Sequence, residues 1–306
     1  MYRTFVIVRH TFREAIVQPI YSLLIAIGAA ILVVFAMLPF FTLGEDTTMF
    51  KSVGLDVILL MVLISTLFAT SKSIYEEIED RTMLTLMSKP VQKWEVLVGK
   101  YLGIILAAAL AVGLLGIVII LCTWWRIPSD YLLRTTSLDD RELKQIWDYR
   151  VMHIAGLVPS LFLMWLQIGV LAAIGVAIST RLSLVVNLPI VILLYVAGNL
   201  TRFLFPIFSD APTAPLRDRS VVTKGLAWGI SLLLPYLEVF DLRQITVYRP
   251  LAVANTAFAN DPNAVRMGTI GVYLGVATLY ALTYVLFALS AGMWLFQTRE
   301  LGGAEG

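Results

Sequence analysis

Tyr101-Leu-Gly-Ile-Ile-Leu-Ala-Ala-Ala-Leu-Ala-Val-Gly-Leu-Leu-Gly-Ile-Val-Ile-Ile-Leu-Cys-Thr123 contains no charged residue. A helix rises about 1.5 Å per residue and the hydrocarbon core of a bilayer is about 30 Å thick, so about 20 apolar residues suffice to cross it. This run is long enough. It also lacks the two-residue alternation of a barrel strand, and an α-helix satisfies every backbone N–H and C=O within the segment itself. The stretch therefore predicts a transmembrane helix.

Five further stretches pass the same test. They run from Ile20 to Phe41, from Val53 to Thr70 with Asp56 near the outer end, from Ile154 to Thr180, from Leu182 to Thr201, and within Met267 to Thr298. The whole chain agrees: 59% of its residues are hydrophobic and 14% charged, against roughly 45–50% and 25% in soluble domains. The expected fold class is an all-α integral membrane protein of six transmembrane helices, built as one domain over residues 1–306. The net charge of +2 leaves no nucleic-acid footprint. Cys122 alone excludes an internal disulfide, and His10 and His153 lack ligand spacing, so no metal site is expected.

The segments between the spans carry distinct expectations. On a helical wheel Arg3, Arg9, His10, Arg13 and Glu14 fall on one side of residues 1–19, and Phe5, Val8, Phe12, Ala15 and Ile16 on the other. That pattern predicts a helix lying in the membrane surface. The charges precede an apolar run too long for a signal core, so no cleavable signal peptide is expected. Residues 124–153 and 202–266 form the two long outer regions. The first predicts a short amphipathic helix opening near Asp139 and Glu142. The second contains Gly225 to Leu237, too short to cross and therefore re-entrant or interfacial.

Gly99/Gly103 and Gly271/Gly275 have the four-residue spacing that allows close helix approach, expected here to serve packing within the chain. Arginines before the first span place the N-terminus in the cytoplasm, and six spans return the C-terminus there. With the long segment 202–266 set aside, ten Lys and Arg lie inside against six outside. Trp124 and Trp125 sit where amphipathic rings favour the headgroup region.

Catalytic signatures are missing. There is no His-Glu-x-x-His, no Gly-x-Ser-x-Gly and no phosphate-binding loop. Ionisable residues within the spans are scarce, which argues against self-powered ion coupling. Gln167, Asn187 and Asn199 are expected to hydrogen-bond between helices.

The segment 71–100 is the most informative. Glu76, Glu77, Glu79 and Asp80 are too polar for lipid. Met83, Leu84, Leu86 and Met87 then form an apolar stripe too short to cross. Pro90 disfavours helical geometry at Lys89 and suits the first turn of a new helix. The expected element is a cytoplasmic extension, a short transverse helix, a break, and a second helix entering the bilayer at Lys100.

This segment resembles the cytoplasmic signature of type-2 ABC transporter permeases. The matching residues are Glu76, Glu77, Glu79, Thr82, Leu84, Leu86, Ser88, Pro90, Val91, Trp94, Glu95, Gly99 and Lys100, with Arg81 where many members have glycine. The resemblance implies a permease of the cell (inner) membrane that is not itself an enzyme. It implies two copies of a cytoplasmic ABC ATPase subunit carrying ATP and Mg, and a second permease copy, identical or paralogous. It also implies that the segment is a coupling helix: Met83, Leu84, Leu86 and Met87 dock into the ATPase, with Glu76, Glu77, Glu79 and Arg81 at the edge, Thr82 and Ser88 in the same interface, and Pro90 setting the next helix. Export of an unidentified substrate is the expected activity. An ion-coupled or passive carrier and a membrane anchor for a cytoplasmic complex stay open as alternatives.

Overall fold

The computed structural model describes residues 2–38, 46–79, 92–132, 140–204 and 234–297. Seven helices dominate the described residues: α1 (Tyr2–Val17), α2 (Pro19–Met37), α3 (Asp46–Ser71), α4 (Lys93–Leu132), α5 (Asp140–Ser179), α6 (Leu184–Leu204) and α7 (Met267–Gln297). Among the described residues five helical segments are long and apolar enough to cross a membrane, built on α2, α3, α4, α5 and α7. In α6 the described apolar stretch is shorter, Leu184–Asn199.

The α1–α2 corner follows from one dipeptide. Pro19 occupies the first turn of α2, and Gln18 before it takes φ −61° and ψ 128°, outside the helical region. The proline ring crowds a helical residue in front of it, which separates two helices that would otherwise run on.

α4 packs against α1, α2, α3 and α5, while α5 packs on α3, α4, α6 and α7. Small residues let α4 serve this many neighbours: Ala107, Ala108 and Ala111 are buried. Buried polar groups find partners across the packing. The Tyr21 hydroxyl donates to the Ala107 carbonyl at 2.9 Å, Tyr101 donates to the Gly169 carbonyl at 3.2 Å, and the Trp165 indole donates to the Ile105 carbonyl at 3.1 Å. α2 and α7 bury little of themselves within the chain. Leu23, Val34, Val272, Leu279 and Leu286 face outward instead.

The helices depart from the sequence reading at several points. Trp124 and Trp125 lie inside α4, and the helix expected near Asp139 is no separate element but the first turns of α5. Trp147 on it meets Trp124 edge-on at 5.3 Å, and the Arg150 guanidinium stacks over Trp124 at 4.7 Å. Aromatic and cation–π pairing thus extends both helices beyond their apolar spans. Gly99 and Gly103 serve packing within the chain as expected, but against α1. A Cβ on Gly271 or Gly275 would meet nothing within 4 Å among the described residues, so that pair makes no close packing there.

Residues 234–266 close the end of the bundle opposite α1. They form a 3₁₀ turn (Leu237–Phe240), a helical turn (Arg243–Thr246) and a two-residue parallel pairing of Leu251 with Val265 and Ala252 with Arg266. Two glycines let this cap seat on the helices. A Cβ at Gly156 would lie 2.1 Å from the Thr246 carbonyl oxygen, and one at Gly198 would lie 2.6 Å from that of Pro235. Of the expected segment Gly225 to Leu237, residues 225–233 lie outside the described ones.

Arg126 holds α2 at the same end. Its Nη1 donates to the carbonyls of Phe35 (3.2 Å), Ala36 (2.8 Å) and Leu38 (2.9 Å) at the end of α2, where a helix runs out of its own N–H donors; Phe35 also accepts the Leu38 N–H. A cation there also complements the helix dipole. Arg126→Met is expected to destabilise the protein by about 2–3 kcal/mol, the usual scale for hydrogen bonds to a charged group. Thermal unfolding in detergent micelles checks this, and Arg126→Lys should recover part of the loss.

Candidate functional site

The base of the connector between α3 and α4 is the candidate site. α3 ends at Ser71 and continues through one π-helical turn, Lys72–Glu76, into Glu77–Glu79. Wide turns of this kind are rare and concentrate at functional positions. Ile74 and Ile78 are buried and hold the turn to the bundle, while Glu76 and Glu79 are exposed. On the other leg, α4 begins at Lys93. The Gln92 N–H donates to Glu95 Oε2 at 3.1 Å, half of the reciprocal cap that starts a helix. Trp94 Nε1 donates to the Gln92 side-chain oxygen.

Lys100 joins the two legs. Its side chain is almost wholly buried, and Nζ lies 2.7 Å from Glu77 Oε1. It also donates to the Ser73 carbonyl and, at 3.1 Å, to Ser73 Oγ. A buried ammonium is tolerable only when charge and donors are both matched. Here one carboxylate, one hydroxyl and one carbonyl do so, and the carbonyl belongs to the π-helical turn. The sequence reading placed Lys100 in the family signature but assigned it no role. The signal available was a lysine directly beside an uncharged span.

Arg81, Thr82, Met83, Leu84, Leu86, Met87, Ser88 and Pro90 lie outside the described residues. Of the expected docking residues, the structure therefore places only Glu76, Glu77 and Glu79, and of these Glu77 alone makes the link to α4.

α1 lies against the first turns of α4 at the same end. A Cβ on Gly99 would sit 2.9 Å from Ile7 Cγ2, and one on Gly103 would sit 2.7 Å from Thr11 Cβ and 2.8 Å from the Val8 carbonyl oxygen. Close approach of the two helices thus requires glycine at both positions. Arg3, Phe5, Arg9 and Arg13 are exposed and Phe12 is half-buried. Gly103→Val is expected to push α1 away, at about 1–3 kcal/mol for overpacking. Limited trypsin digestion reports it, with cleavage after Arg9 or Arg13 accelerating roughly tenfold or more.

Polar residues at the opposite end form a second constellation. Arg243 Nη1 lies 2.6 Å from Asp56 Oδ1, while its Nε and Nη2 meet Asp241 Oδ1 and Oδ2, each at 2.9 Å. Burial alone would lower the Arg243 pKa, but the hydrogen bonds and charges of Asp241 and then Asp56 outweigh it and hold the pKa above its ordinary value. With Ser160, Gln167, Tyr195 and Asn199 these groups line a cavity of about 30 Å³. Small-molecule sites span roughly 300–1,000 Å³, so this conformation holds no cargo there.

The three span amides behave differently from one another. Asn187 donates to Gly175 O at 3.3 Å and Ser179 Oγ at 2.7 Å on the neighbouring helix, as expected. Asn199 bonds back to Tyr195 of its own helix, and Gln167 lines the cavity. His153 is less ordinary than its isolation suggested: it is buried with Lys51, Nδ1 to Nζ 2.7 Å. Among the described residues no group of three or more His, Cys, Asp or Glu could hold a metal ion.

Among curated proteins none matches the chain. A family model described as ABC-2 family transporter protein matches residues 33–301. That range begins inside α2 and takes in α3 to α7, the connector with its lysine-pinned base, and the cap. With the apolar helices it makes the protein a multi-pass membrane protein of permease type, and the chain belongs to the ABC-2 transporter family.

Proposed function

We propose that this chain is the membrane subunit of an ATP-driven exporter, and that the segment 71–100 is the handle by which a separate cytoplasmic ATPase moves it. Family membership carries the partnership with an ABC ATPase subunit. The further reading is that two such subunits, carrying ATP and Mg, engage two copies of this permease in the inner membrane. In this reading α6 completes six crossings and both termini face the cytoplasm.

The observation that carries the mechanism is the Lys100 link. A transmitter must make different contacts in two states, and it must not deform when pushed. Lys100 ties the π-helical turn and Glu77, which continue α3, to the first turns of α4, so force applied to the intervening residues reaches both helices as one body. α1, locked to α4 through Gly99 and Gly103, would move with them. The Met83, Leu84, Leu86 and Met87 stripe supplies the apolar face that the ATPase grips.

Sidedness tests this reading. In a Cys122→Ser background, Ser88→Cys should react with a membrane-impermeant thiol reagent in inside-out vesicles and stay protected in right-side-out ones. The reverse pattern would place the connector beyond the reach of any cytoplasmic ATPase and end the proposal.

A further inference from the structure

We propose that the outward face of α1 binds an acidic glycerophospholipid, with Arg9 and Arg13 on its phosphate and Phe12, Ile16 and Val17 along its acyl chain. These five residues line an open groove of about 370 Å³, within the roughly 300–1,000 Å³ range of ligand sites. They stand in two adjacent rows of four-residue spacing, 9–13–17 and 12–16, so a cationic end and an apolar end lie on one surface.

The depth of α1 selects a lipid as occupant. Gly99 and Gly103 hold the helix beside Lys100, where the charged start of α4 gives way to its uncharged run. That is the level of a headgroup, with phosphate on one side and acyl carbon on the other. Neither arginine makes an ion pair among the described residues. Glu14, the single acid of α1, is not part of the groove lining. Guanidinium groups bind phosphate oxygens in a bidentate fork, which favours arginine over lysine at such a site. The inference needs α1 at the membrane surface and does not depend on the coupling role of residues 71–100.

The full-length chain, purified in detergent, tests it by native mass spectrometry with equal amounts of phosphatidylglycerol and phosphatidylcholine. The wild type should retain phosphatidylglycerol selectively. R9Q/R13Q should weaken that retention roughly thirtyfold, from the usual contribution of a basic residue near an anionic surface. R13Q alone should fall between, which keeps the test open if the double variant does not fold. Equal retention of the two lipids by the wild type would overturn the proposal. So would an equal loss in R3Q, whose arginine lies outside the groove, since diffuse charge would then explain the binding. Displacement by excess glycerol phosphate would reassign the groove to free anions and overturn the lipid assignment.

Discussion

Lys100→Met is expected to lower stability by about 3 kcal/mol and to uncouple transport from ATP hydrolysis. Breaking a buried ion pair from one side costs roughly 3–5 kcal/mol, largely because the remaining charge is left without a partner. Glu77 is a quarter exposed and can be partly rehydrated, which places the effect at the lower end. The cost is not only electrostatic: the Ser73 carbonyl and hydroxyl lose their donor as well. The paired variant K100M/E77Q removes both charges and should recover at least half of the lost stability. Coupling should not recover with it, because the two legs of the connector stay untied. Coupling energies of 1–3 kcal/mol correspond to roughly 5- to 150-fold effects, and a drop in transport per ATP of that order is expected in both variants. Thermal unfolding and reconstituted transport separate the two effects. Full coupling in K100M/E77Q would show that the pin stabilises the fold without transmitting force.

Leu84→Asp/Leu86→Asp is expected to abolish ATP-driven transport while the protein still inserts in the membrane. Both leucines belong to a stripe with Met83 and Met87 too short to cross a bilayer. Two carboxylates placed in an apolar cleft would each cost several kcal/mol unless paired. That is enough to dissociate the ATPase, because 1.4 kcal/mol already changes affinity tenfold. Insertion should be spared, since the spans are untouched. Co-purification with the ATPase and stimulation of its turnover are the measurements. Retention of both would exclude this stripe as the gripping surface.

The same residues show how far sequence reading reached. Hydropathy located the apolar helices, because the bilayer imposes a length and a composition on each segment separately, but α3, α4 and α5 extend 7 to 14 residues beyond the expected ends. The corner at Gln18-Pro19 has an equally local cause and emerged only with the structure. Continuity was harder to read. The polar end of α4 and the polar start of α5 look like connectors one residue at a time, yet Trp124, Trp147 and Arg150 stack across them and the helices run on. Gly99/Gly103 and Gly271/Gly275 have identical spacing, but only the first pair packs closely against another helix among the described residues.

By itself, the sequence determined an all-helical membrane protein, the positions of its apolar helices and the signature that relates it to ABC-2 permeases. These are properties of contiguous runs, fixed by the solvent each run must meet. Tertiary structure alone decided which polar groups meet: Lys100 with Glu77, Arg243 with Asp56 across 187 positions, and Lys51 with the His153 ring nitrogen across 102. It also decided that Gly156 carries the Thr246 backbone. A buried charge needs a partner but does not specify which one, and only the packing of distant helices supplies the choice.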